Sequence, residues 1–120
     1  MAGAGCMPQQ AEVSGRALFA ENCAVCHGET GRGDGPAAAG LTPPPNDLTL
    51  LAAGNQGVFP LVAVMSQIDG YTRTSPDEAM PDFGALLDGP LVPVDTGDGV
   101  FTPTPAPLYA LAEHLRSLQR

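Results

Sequence analysis

The sequence predicts an all-α fold: three main helices joined by short turns and long loops, with the loops wrapped around something other than protein. Apolar residues recur at helical spacing in three stretches of the chain. Fifteen glycines and thirteen prolines in 120 residues leave much of the remainder as loop. Hydrophobic residues make up 43%, yet aromatics are only 5% and there is no Trp. A bound cofactor at the centre accounts for thin side-chain packing and long loops together. The length allows one domain. Residues 14–120 are expected to form it, and residues 1–13, rich in Gly, Ala and Gln without periodicity, read as a flexible tail.

Ser14 caps the first helix, which runs to about residue 22. Gly15, Leu18, Phe19 and Asn22 share one of its faces. Residues 28–47 are broken by glycines and by Pro43-Pro44-Pro45, so they read as a long loop. A helix is expected over 58–68, where Val58, Leu61, Val62 and Met65 follow the i, i+3, i+4, i+7 pattern and Asp69-Gly70 supplies the stop. Ser75-Pro76-Asp77-Glu78 is a compact helix start. Pro81 then forces Met80 out of the helical region, so the segment reads as one stiff turn that ends by presenting Met80. Phe83, Leu86 and Leu87 suggest another short turn, and residues 88–107, with five prolines, a second irregular loop. The last helix begins near Pro107, with a stripe of Leu108, Leu111, Leu115 and Leu118.

The charge balance excludes whole classes of partner. Thirteen acids face five bases, all of them Arg, for a net charge of -8. No basic patch exists to neutralise nucleic-acid phosphates or an anionic membrane. A partner with a basic docking face would be attracted. No apolar run approaches the ~20 residues of a membrane span. Met1 to Gly5 are too few to form a complete export signal ahead of Cys6.

The chemistry concentrates in Cys23-Ala24-Val25-Cys26-His27. A C-x-x-C-H run reads as the covalent attachment site of one c-type haem. Two thiols three positions apart reach the two vinyl groups on one side of a porphyrin, and the next residue aims its imidazole at the iron. His27 then needs an acceptor for its other ring nitrogen, most simply a backbone carbonyl. Zinc fits poorly, because no second cysteine pair exists and adjacent Cys and His do not suit its spacing. A thioredoxin-type motif would need a βαβ setting.

These residues resemble those of a bacterial class I c-type cytochrome with a single haem c. The matching stretches are Gly15-Arg-Ala-Leu-Phe19, Cys23-Ala-Val-Cys-His-Gly28, Gly33-Asp-Gly-Pro36, Met80-Pro-Asp-Phe-Gly84 and Leu111-Ala-Glu-His-Leu115. The resemblance implies a cytochrome c-like fold around one covalent haem c held by Cys23, Cys26 and His27. It implies an electron carrier between redox protein partners, not an enzyme. It also implies a crossing of the first and last helices in which Gly15 and Phe19 meet Leu111, His114 and Leu115. His114 stands where the family usually has an aromatic. Met80 is the expected sixth ligand, because it precedes Pro81 and Phe83-Gly84 as in the family. Met65 lies on a helical apolar stripe and reads as core filler. With His27 and Met80 both on iron, no substrate site remains. The rivals are a haem enzyme with an open iron site and an electron-transfer subunit of a larger oxidoreductase. Covalent haem of this kind implies a periplasmic location.

The remaining features weigh less. Gly31-Arg32-Gly33-Asp34-Gly35 lacks the Lys of a phosphate loop. Asp95-Thr96-Gly97-Asp98-Gly99 lacks the closing Glu of a calcium loop. Pro43-Pro44-Pro45 reads as a stiff wall over the haem edge, with one of its carbonyls or a neighbour's facing His27. Cys6 has two readings: a lipid-bearing membrane tether, after the small-residue pair Ala4-Gly5 as at a lipoprotein junction, or an unused tail thiol. Asp77, Glu78, Asp82, Asp88, Asp95 and Asp98 form an acidic run without a base, either a solvated surface or a docking face beside Met80.

Overall fold

The computed structural model describes residues 14–70, 80–97 and 99–120. The expected tail with Cys6, the stiff turn at Ser75-Pro76-Asp77-Glu78, and Asp98 lie outside the described residues. The elements run α1 (Gly15–Asn22), α2 (Ala24–His27), α3 (Leu61–Asp69), β1 (Leu91–Asp95), β2 (Phe101–Pro105) and α4 (Ala106–Ser117). Short 3-10 turns at Ala38–Gly40, Leu48–Leu50 and Ala53–Asn55 punctuate the loop before α3.

α1 starts where the Ser14 hydroxyl accepts from the Ala17 N–H at 3.1 Å. It crosses α4 closely because Gly15 has no side chain. A Cβ there would collide with the Ala110 carbonyl. Beside this contact Phe19, 2% exposed, lies against His114 with ring centroids 5.3 Å apart. Burying a side chain such as Phe19 or Leu111 stabilises by roughly 1.5–3 kcal/mol, so the crossing is a principal anchor of the fold.

α3 differs from the expected 58–68. It begins at Leu61, because Pro60 precedes it and pushes Phe59 out of helical geometry. The buried stripe is therefore Leu61, Val64, Met65 and Ile68, while Val58 and Val62 face solvent at 63% and 49% exposure. The same i, i+3, i+4, i+7 spacing holds, moved one turn along. Met65 is buried in the core with Leu87, Leu108, Leu111 and Leu115. On α4 the stripe is joined by Ala112, which is fully buried.

The all-α expectation needs correction. Residues 88–107 are not wholly irregular, since β1 and β2 pair antiparallel with Pro93 opposite Pro103 and Leu91 opposite Pro105. The prolines fit because all three fall on one parity of the ladder, where the N–H would point away from the partner. The other parity carries Val92, Val94 and Thr104, which turn inward, while Leu91, Pro93 and Phe101 face out. Asp95 closes the loop between the strands, its Oδ1 accepting from the N–H groups of Gly97 at 2.8 Å and Gly99 at 3.3 Å. Asp95 thus ties Gly97 and Gly99 to the end of its own strand.

Candidate haem-binding cleft

The C-x-x-C-H run begins as α1 ends. The Cys23 N–H donates to the Phe19 carbonyl at 2.9 Å, and α2 carries residues 24–27 for one turn. A helix this short leaves its last carbonyls without internal partners. The glycine-rich loop supplies them. Ala37 N–H donates to the Val25 carbonyl at 2.9 Å, Gly35 N–H to Cys26 at 3.0 Å and Gly33 N–H to His27 at 2.7 Å. Gly35 has no room for a side chain, since a Cβ would lie 2.5 Å from the carbonyl oxygens of Ala24 and Val25. Residues 33–37 therefore form a cap that fixes the backbone at Val25, Cys26 and His27.

His27 is oriented from the side. Its Nδ1 lies 3.0 Å from the Asn46 carbonyl oxygen. A carbonyl can only accept, so Nδ1 carries the proton and Nε2 keeps a lone pair for a metal. The sequence left the identity of this acceptor open among the triple proline and its neighbours. It is the residue after Pro45.

A cleft of about 790 Å3, its open mouth included, lies in front of these groups. Cys23, Cys26, His27 and Met80 all line it, with Pro43, Pro44 and Pro45 along one wall and Leu41, Pro81 and Phe83 adding apolar surface. Asn22, Asn46 and Gln67 are the polar residues of the lining, none of which the sequence alone assigned to it. Gln67 places its Nε2 3.9 Å from the Met80 sulfur. Met65 does not line the cleft. The segment bearing Met80 is docked on the end of α3, where the Phe83 N–H donates to the Ile68 carbonyl at 3.1 Å, and it is anchored by Leu87, 1% exposed.

Burial, and then the neighbouring Cys26, push the Cys23 thiol up to about 11. Both cysteines are free thiols. Among the described residues no cluster of His, Cys, Asp and Glu is arranged to hold a bare metal ion. The donor set is instead two thiols, an imidazole with its tautomer fixed, and a thioether, all lining one apolar cleft. That set fits a haem of the c type: thiols to tether it, nitrogen and sulfur to ligate iron, and apolar walls for the porphyrin faces.

The His114 imidazole is held on the Phe19 ring at the α1–α4 crossing and is absent from the cleft lining. No helix among the described residues is long and apolar enough to cross a membrane. Comparison with curated proteins and with solved structures gave no match. The family model described as Cytochrome c matches residues 13–119, nearly the whole chain. The match spans the capped C-x-x-C-H turn, the triple-proline wall and the Met80 segment together, and by it the chain belongs to the cytochrome c family, whose members transfer electrons through covalently bound haem c.

Proposed function

We propose that the chain is a single-haem electron carrier of the bacterial class I type, with haem c joined to Cys23 and Cys26 and ligated by His27 and Met80. One observation carries the proposal: two thiols, an oriented imidazole and a thioether open on the same apolar cleft. Haem iron, when bound, supplies a one-electron ferric/ferrous couple. The two thiols tether it from one turn of helix. His27 offers Nε2, and its Nδ1–H stays on the Asn46 carbonyl, which raises the basicity of the ring. Met80 offers sulfur, a ligand that favours the ferrous state and raises the potential. Pro43, Pro44, Pro45 and Phe83 exclude water from the walls. No protein side chain makes or breaks a bond during turnover, so the chain is no enzyme in this reading.

Redox proteins with a basic face are the proposed partners. Asp82 and Asp88 are exposed, and Asp82 lies two residues from Met80 beside the cleft. A periplasmic location, and Cys6 as a lipid-bearing tether, belong to the same proposal. Low-spin spectra in both oxidation states, with no carbon monoxide binding in the absence of denaturant, are the expected result for a carrier. High-spin iron that binds carbon monoxide would overturn the carrier reading in favour of an open-site enzyme.

A further inference from the structure

We infer that Arg120, with Gln119 beside it, is a positioning residue for the His27 imidazole, acting through the segment that carries the Asn46 carbonyl. The inference rests on the reading of His27 as a haem ligand.

The acceptor for Nδ1 belongs to a loop, and loops are held only by what ties them down. Asn46 is followed at once by Asp47, whose Oδ1 accepts from the Thr49 N–H at 2.9 Å and the Thr49 hydroxyl at 2.6 Å. Arg120 grips this pair at three points. Its backbone N–H donates to the Thr49 carbonyl at 3.0 Å, its Nε to Thr49 Oγ1 at 2.7 Å, and its Nη2 to Asp47 Oδ2 at 2.9 Å. Gln119 adds two more bonds, donating from Nε2 to the Leu48 carbonyl at 2.7 Å and accepting at Oε1 from the Ala52 N–H at 2.9 Å. These bonds join residues about seventy positions apart in sequence, so they are tertiary and not features of a local turn.

An exposed ion pair taken alone contributes little. Here the guanidinium bridges a carboxylate and the hydroxyl of Thr49, which is 3% exposed, so the geometry of both is fixed from one side chain. The thioether-bearing wall has no part in this. What the clamp fixes is the position of residues 47–49, and Asn46 is their covalent neighbour. The strength of the Nδ1–H bond sets how electron-rich the imidazole is, and a more electron-rich ring favours ferric iron. Loosening the clamp must therefore raise the potential.

The sign of the effect separates positioning from plain charge removal. Arg120→Leu deletes one positive charge, and by electrostatics alone that favours the ferric state and lowers the potential. Arg116→Leu is the control, because it deletes a cation of the same helix end whose partners are Glu113 and the Phe59 ring, away from residues 46–49. In the haem-loaded protein the expected result is an upward shift of midpoint potential in Arg120→Leu. The His27 Nδ1 proton resonance should move with it, and Arg116→Leu should show neither change. Arg120→Lys keeps the charge but not the fork, so it folds in the event that the Leu variant does not, and its potential should also rise, by less. A potential that falls or stays level in both Arg120 variants, with His27 still ligated by its spectrum, overturns this inference alone. Variants and parent that all lack haem overturn the site reading, and the inference with it.

Discussion

The imidazole of His114 lies against the Phe19 ring, centroids 5.3 Å apart and tilted by 48°, at the point where α1 crosses α4. Burial first, and the nearby Arg16 second, hold the His114 pKa below its ordinary value of 6.5. The folded state thus binds less proton than the unfolded state below that pH. By linkage, the contribution of the crossing is complete above about pH 6.5 and is lost as pH falls toward the depressed folded pKa. His114→Phe removes the titration and keeps a flat ring. Melting temperatures at pH 8 and pH 5 should differ less in the variant than in the parent. An unchanged difference would mean that His114 does not couple to folding.

Gly15→Ala should be costly despite its modest chemistry. The added Cβ meets the Ala110 carbonyl, which belongs to helix backbone and cannot rotate away. The helices must move apart, at a cost of about 1–3 kcal/mol. Urea unfolding should show a lower midpoint with little change in slope. A midpoint within error of the parent would show that the crossing is looser than its geometry.

Met80→Ala should open the iron to exogenous ligands and lower the potential, because the thioether favours ferrous iron. Met65→Leu should do neither, since Met65 is packed in the core and Leu is close to it in volume. The ferric methionine–iron charge-transfer band reports the outcome. Its loss in Met65→Leu together with survival in Met80→Ala would reverse the ligand assignment.

The separation of these two methionines was open to sequence reasoning, because a residue before proline cannot continue a helix and Met80 precedes Pro81. The convergence of Cys23, Cys26 and His27 on one cleft was legible for a similar reason: it depends on spacing within five residues. What sequence reasoning missed is non-local. No local signal marks the Asn46 carbonyl as the partner of His27, since any residue has a carbonyl and only the path of the loop selects one. The cap on α2 by alternate residues of the glycine loop was hidden the same way. The hairpin at 91–105 was masked by its prolines. The alternation of Val92 and Val94 against Leu91 and Pro93 has a period of two, but prolines normally demote a strand. They are tolerated here because a two-stranded ribbon leaves every second N–H unpaired. The start of α3 shifted because the apolar Val58 matched the helical period that Pro60 then interrupts.

Reversing two exposed acids, Asp82 beside the cleft and Asp88 further along the chain, should act on association. Asp82→Lys with Asp88→Lys should slow electron transfer to a basic acceptor at low salt, since steering falls off with a Debye length of ~8 Å at physiological ionic strength. The same variant should match the parent at high salt, where the charges are screened. Stopped-flow rates across an ionic-strength series give the comparison. Equal rates at low salt would identify the acids as a solvated surface and move the contact face elsewhere.

The central claim is that one haem is bound covalently by the capped turn of residues 23–27. Intact-mass measurement of the purified holoprotein, before and after denaturing acid extraction, tests it most directly. The expected mass is that of the chain plus one haem, retained through extraction, unchanged in number by Cys6→Ser and lost from the chain in the double variant Cys23→Ser, Cys26→Ser. Haem released intact from the parent by the acid, or retained by the double variant, would contradict the assignment.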